Sequence, residues 1–234
     1  EAGKHVPCEK PLGLDAAQVA TMTAAARDAD RLLVEASWNR WHPRTRRAEA
    51  LLEEVEGPVE ATAWFTFSGV PQDNYRLDPA RGGGALYDVG CYGVAAALMA
   101  LGDDVEVTAA ASTSASSGVD LTTTAELASA RGVARVTASF EREESQGFAV
   151  TAQGFSLELP HPAFTAWREA TTMTVADDEG SRTEEFDACD PYVLMVEAVS
   201  ARIRGEDAWV LPLATTAAVA ATLDAIAGTP SAGG

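Results

Sequence analysis

The chain of 234 residues is 47% hydrophobic and 22% charged, an ordinary globular composition with enough length for one large domain or two small ones. Its 17 basic residues stand against 35 acidic ones, a formal charge of -18 that repels phosphate backbones and anionic lipid and so argues against nucleic-acid and membrane partners. Three scattered cysteines without a CxxC pair, and three histidines without ligand spacing, point to no disulfide framework and no metal site, and fit a reducing, cytoplasmic compartment.

In chain order, residues 4–10 (KHVPCEK) read as a short extended segment that Pro11 stops. An Asp15 cap then opens an amphipathic helix, and RLLVEASW follows as a buried strand, so the spacing predicts one βαβ unit with parallel strands. HPRTRRAEALLEEVE, 42–56, reads as a second helix opened by Pro43 and closed by Gly57 and Pro58. Beyond it VEATAWFTFSG, VEVTAAAST, DLTTTAELASA, VARVTASFER and FAVTAQGFSLEL alternate with the period of strands, which predicts a mainly antiparallel sheet of five or more strands. Helices are expected at 85–101, from Pro191, and up to Gly228, with TPSAGG as a flexible tail.

Candidate chemistry gathers in RGGGALYDVGCYG, 81–93. Its glycines fit neither GxxxxGK[ST] nor GxGxxG, so it is a weak phosphate loop. Asp88 and Tyr92, four residues apart, share one helix face, and the glycines at 84 and 90 suggest close approach of a ligand or of another backbone. Lys10 is the other notable residue, wedged between Glu9 and Pro11.

Taken together, AGKHVPCEKPL, EASWNRWHPRTRR, DNYRLDPARGGGALYDVGCYGV and DPYVLMVEAVSARIRG resemble the glucose-fructose oxidoreductase, inositol dehydrogenase and MocA family, the Gfo/Idh/MocA dehydrogenases, over nearly the whole chain. The resemblance implies an α/β plus α+β fold. Residues 1–38 would be the C-terminal remnant of a dinucleotide-binding Rossmann domain, and 39–234 a substrate and oligomerisation domain built on an open sheet with helices on one face. It implies an oxidoreductase that uses NAD or NADP to move a hydride to or from a sugar or related polyol. Lys10, Asp88 and Tyr92 would then be catalytic and Glu9, Lys10 and Pro11 would lie against the cofactor, often with a cis bond before the proline.

Arg40, Trp41, His42, Asn74 and Tyr75 are substrate-pocket candidates, although NRWHP fits a helix-opening turn equally well. A lysine ammonium beside Tyr92 is expected to stabilise its phenolate and lower a pKa ordinarily near 10. The family's GxGxxG fingerprint is absent, so the chain is expected to begin inside the Rossmann domain, to hide the choice between NAD and NADP, and to bind the cofactor poorly by itself. The other expectation kept open is a non-catalytic family member, a ligand sensor or assembly module. A homo-oligomer through the uncovered sheet face is also expected.

Overall fold

The computed structural model describes residues 2–229, and the tail read as flexible lies, from residue 230 on, outside them. Strand β1 (Val6–Cys8), helix α1 (Ala16–Asp28) and strand β2 (Leu33–Glu35) form the expected unit, with β1 and β2 parallel and Val6 opposite Leu33. Asp15 accepts the Gln18 N–H at 2.7 Å and so closes the first turn of α1. Buried Val19 on the helix and Leu33 on β2 then pack the crossover back onto its strands.

The rest of the chain builds a second, larger sheet. Its strands are β3 (Val59–Ser68), β4 (Glu106–Ser114), β5 (Asp120–Ser129), β6 (Gly132–Ser139), β7 (Glu141–Ala152), β8 (Phe155–Leu159), β9 (Thr171–Asp177) and β10 (Gly180–Phe186). They lie in the order β10-β9-β8-β7-β3-β6-β5-β4, with every neighbouring pair antiparallel except β3 and β6. FAVTAQGFSLEL is two strands rather than one. Period-2 alternation runs on through a two-residue hairpin, and only Gly154, at φ +73°, marks the turn. VARVTASFER likewise divides at Phe140 between β6 and β7.

The one parallel pair depends on Gly132. At φ +142° it enters β6 so close to β3 that a Cβ there would lie 1.9 Å from the Val59 carbonyl oxygen. Helices α2 (Pro43–Glu54), α3 (Cys91–Leu101) and α5 (Leu213–Gly228) cover one face of the large sheet, and Leu52, Val94, Leu98, Val136, Phe148, Met173 and Leu223 are buried in the core there. Glu60, Thr62, Val133 and Arg135 are exposed on the other face. Helix α4 (Pro191–Ile203) packs Met195 and Val199 on the 3-10 turn Trp38–Trp41. Helix α5 also reaches the small unit, where its Ala220 packs with Leu12, Val19 and Leu33.

His42 caps α2 in an unusual way for an imidazole. Its Nδ1 accepts the Arg44 N–H at 3.1 Å, so the ring proton is on Nε2, a buried atom with no partner among the described residues. With the residue 3% exposed, burial, and then the Arg44 charge, push its pKa from 6.5 down to about 4. The fold therefore favours the neutral ring. Stability is full above about pH 6.5 and falls as the pH drops toward 4, by about 3 kcal/mol once the ring is charged. Urea midpoints should fall between about pH 7.5 and about pH 5, and His42→Asn, which keeps a capping oxygen, should flatten that slope. A slope unchanged in the variant would contradict the assignment.

Candidate active site

Directly after β1, at the C-terminal end of the parallel pair, Glu9, Lys10 and Pro11 enter a cleft of about 620 Å³, with a cis bond between Lys10 and Pro11. The Lys10 ammonium donates to the Asp88 backbone oxygen at 2.5 Å, lies 3.5 Å from Asp88 Oδ1, and stands over the Tyr92 ring at 4.8 Å from its centroid. Two motifs 78 residues apart thus meet at one point. Arg76 Nε donates to Asp88 Oδ2 at 2.5 Å, so the carboxylate is held between two cations.

The segment carrying Asp88 is not ordinary α-helix. Leu86–Gly90 is a π-helical turn that runs into α3. Such turns redirect backbone carbonyls and recur at functional sites. Here the Asp88 carbonyl accepts both the Lys10 ammonium and, at 3.5 Å, the Cys91 thiol. The turn is anchored by Asp120, whose Oδ2 accepts the Leu86 N–H and the Thr123 hydroxyl, each at 2.8 Å.

This anchoring also explains the glycine run. A Cβ on Gly84 would lie 2.2 Å from Asp120 Oδ1, and one on Gly83 would lie 2.6 Å from the Arg76 carbonyl oxygen. Gly83 and Gly84 give their N–H groups to the carbonyls of Asp78 and Arg76, so they cradle this loop and not a phosphate. The close approach inferred for Gly90 is to the sheet, where a Cβ would meet Ala138 at 3.2 Å.

Burial pushes the Lys10 pKa down, but Cys91 and Asp88 more than offset it and the value is raised. Burial lifts the Cys91 thiol to about 11, so it is neutral at physiological pH and Asp88 is the partner that counts there. Tyr92 corrects the expectation of a lowered pKa. Only 8% exposed and packed against Phe65 and Phe164, it is raised well above 10 by burial, with no hydrogen bond among the described residues to offset this. The Lys10 ammonium stands over the ring, and its charge does not outweigh the desolvation.

Of the other candidates, Tyr75 lines the cleft, whereas Asn74 accepts the Arg76 N–H at 3.0 Å and caps a short turn outside the lining. Arg40, Trp41 and His42 do not line it either, and the substrate-pocket reading is corrected for all three. Arg40 is buried against Glu49 at 2.6 Å, Trp41 meets Trp209 edge-on at 5.1 Å, and His42 caps α2. NRWHP is a structural turn. The cleft instead takes its neighbour Trp38, stacked on Tyr192 at 4.7 Å, together with Arg76, Tyr87 and Thr165. Arg76 could have been singled out as a charge just ahead of the glycines, but Thr165, from a loop far down the chain, carries no sequence signal.

Residues 45–156 match the GFO/IDH/MocA C-terminal domain model. Together with similarity along almost the entire chain to an oxidoreductase of that kind, this shows that the chain belongs to the Gfo/Idh/MocA family of oxidoreductases, as its EKP and DVGCY motifs suggest. That relative is D-xylose 1-dehydrogenase (NADP(+)) 2 of Haloferax volcanii, 36% identical over 231 residues that make up 97% of this chain and 70% of the relative. Trans-1,2-dihydrobenzene-1,2-diol dehydrogenase of Sus scrofa is 39% identical over 95 residues, 39% of this chain and 28% of that enzyme. Among solved structures, a 3-ketoreductase from Actinomadura kijaniata in complex with NADP and TDP-benzene superposes with a TM-score of 0.88 at 26% identity, covering 98% of this chain and 72% of its own.

Proposed function

We propose that the cleft is the reaction centre of an NADP-dependent oxidoreductase that moves a hydride between the nicotinamide and a CH–OH carbon of a sugar or related polyol. The observation that carries this reading is the convergence of Lys10, Asp88 and Tyr92 on one aromatic-lined cleft. The cofactor suits the residues present. The cleft lies at the carboxyl ends of two parallel strands, where dinucleotides bind in α/β proteins, and Glu9, Lys10, Pro11 and Trp38 would hold the nicotinamide end. When bound, the dinucleotide supplies the hydride chemistry.

The chain's own part is proton handling and orientation. With its pKa raised, Tyr92 is a neutral phenol at ordinary pH, suited to give a proton to a carbonyl oxygen in the reducing direction. In the oxidising direction it takes the hydroxyl proton, a step that alkaline pH favours. Lys10 stands over the Tyr92 ring and is held in place by Asp88, which Arg76 pairs with in turn. Trp38, Phe65, Tyr75 and Tyr192 offer flat apolar faces to a sugar ring and keep water away.

The test is the absorbance of reduced NADP with a panel of aldoses, polyols and cyclic vicinal diols. Turnover of at least one, rising with pH through the alkaline range, is the expected result. No turnover of any of them by the full-length protein, with NADP shown to bind, would overturn the reading.

A further inference from the structure

The loop between β8 and β9 has no part in the proton chemistry above, yet it is tied down more tightly than a surface loop needs to be. Gln146 of β7, 2% exposed, holds it at the cleft side. Its Oε1 accepts the backbone N–H groups of Phe164 and Thr165, at 3.0 and 3.1 Å, and its Nε2 lies 2.7 Å from Thr165 Oγ1. On the far side the Arg44 guanidinium donates to the carbonyls of Pro162, Ala163 and Thr172, the first two at 2.7 and 2.9 Å. Phe164, held by this clamp, stacks on Tyr92 at 5.9 Å, and Thr165 lines the cleft.

The direction of these bonds decides what Thr165 can do. Two backbone donors at Gln146 Oε1 fix the amide orientation, because a flipped amide would set N–H against N–H. Its NH2 group therefore donates to the threonine oxygen. The threonine's own proton is left with no acceptor among the described residues, and the half-buried hydroxyl borders the cleft. A hydroxyl that already accepts a bond is a better donor, and here it is also held in place.

We infer that Thr165 is a specificity-determining residue, a fixed hydrogen-bond donor that reads one oxygen of the substrate within the cleft shared with Lys10 and Tyr92. The inference rests on the proposed oxidoreductase reading, since it takes the occupant to be an oxygen-rich ring. An unmodified hydroxyl or ring oxygen satisfies the donor, and a substrate carrying hydrogen at that position leaves it unpaired.

The test is binding, read by the fluorescence of Trp38 and the other tryptophans, of an aldose and its series of monodeoxy analogues to the wild-type protein and to Thr165→Val, Thr165→Ser and Thr165→Ala. Thr165→Val should bind the parent aldose about tenfold more weakly, and Thr165→Ser should bind it like the wild type. For one deoxy analogue the difference between wild type and Thr165→Val should vanish, because the oxygen that the hydroxyl reads is gone. If the valine variant fails to fold because Gln146 loses its acceptor, Thr165→Ala leaves room for a water there and is held to the same outcomes. Equal losses for every analogue, or no loss at all, would overturn the role of Thr165 alone. A wild-type protein that binds none of the sugars would instead overturn the oxidoreductase reading and this inference with it.

Discussion

Replacing Tyr92 by phenylalanine is expected to lower turnover about 100- to 10,000-fold, the range spanned by loss of a positioned proton donor, with little change in affinity for NADP. The expectation depends on what the substitution leaves intact. The ring keeps its contacts with Phe65, Phe164 and the Lys10 ammonium, and among the described residues the hydroxyl has no hydrogen bond whose loss would cost stability. The melting temperature should therefore move by less than about 2 °C. Parallel steady-state kinetics and calorimetry check both halves. Turnover within about twofold of wild type would remove Tyr92 from the chemistry, and a large drop in melting temperature would make it a packing residue.

The second large effect belongs to a residue outside the cleft. Arg44 is 2% exposed, and burial lowers its pKa from 12.5 to about 10 even with Glu169 nearby. What keeps it there is three backbone carbonyls, those of Pro162, Ala163 and Thr172, which tie α2 to β9 and to the loop behind the cleft. Arg44→Leu removes the donor from all three, and each buried carbonyl left unpaired costs about 1–3 kcal/mol, partly offset because no charge is then buried. A net loss of about 3 kcal/mol is expected, a fall in melting temperature of about 10 °C for a chain of this size. Turnover should fall as well, because Phe164 and Thr165 hang on the same clamp. A variant that melts within about 2 °C of wild type would show that the loop holds itself.

These two residues also mark how far the sequence could be read. Tyr92 was accessible to it because a spacing of four from Asp88 on a helical segment puts both on one side, and the motif around them is distinctive. Arg44 was not, because an arginine at the start of a helix ordinarily signals a solvated face and nothing in RTRR tells the buried member from its exposed neighbours. The same limit misled the reading of Arg40, Trp41 and His42. Their polar and aromatic side chains suit a pocket, yet Arg40 and His42 find their partners within the helix-opening turn and α2, and Trp41 finds its partner in the segment after α4.

The electrostatics divide in the same way. The resemblance suggested that Lys10 would lower the Tyr92 pKa, but the net shift also carries the desolvation of the phenol, which only the packing sets. With the cation over the ring face and the phenol enclosed by two phenylalanines, desolvation prevails.

By itself, then, the sequence determined the βαβ unit, the mainly antiparallel sheet, the capped helices and the family, since periodicity, caps, turn residues and motif spacing are local properties of a chain. The tertiary structure alone decided that Lys10 meets the carbonyl of a π turn, that Arg76 shares Asp88 with it, that the glycines fold back on their own loop, and that the Thr165 proton has no acceptor among the described residues. The direction and distance of each contact are set by how two sheets and five helices pack and by how the loop between them folds, which no local pattern encodes.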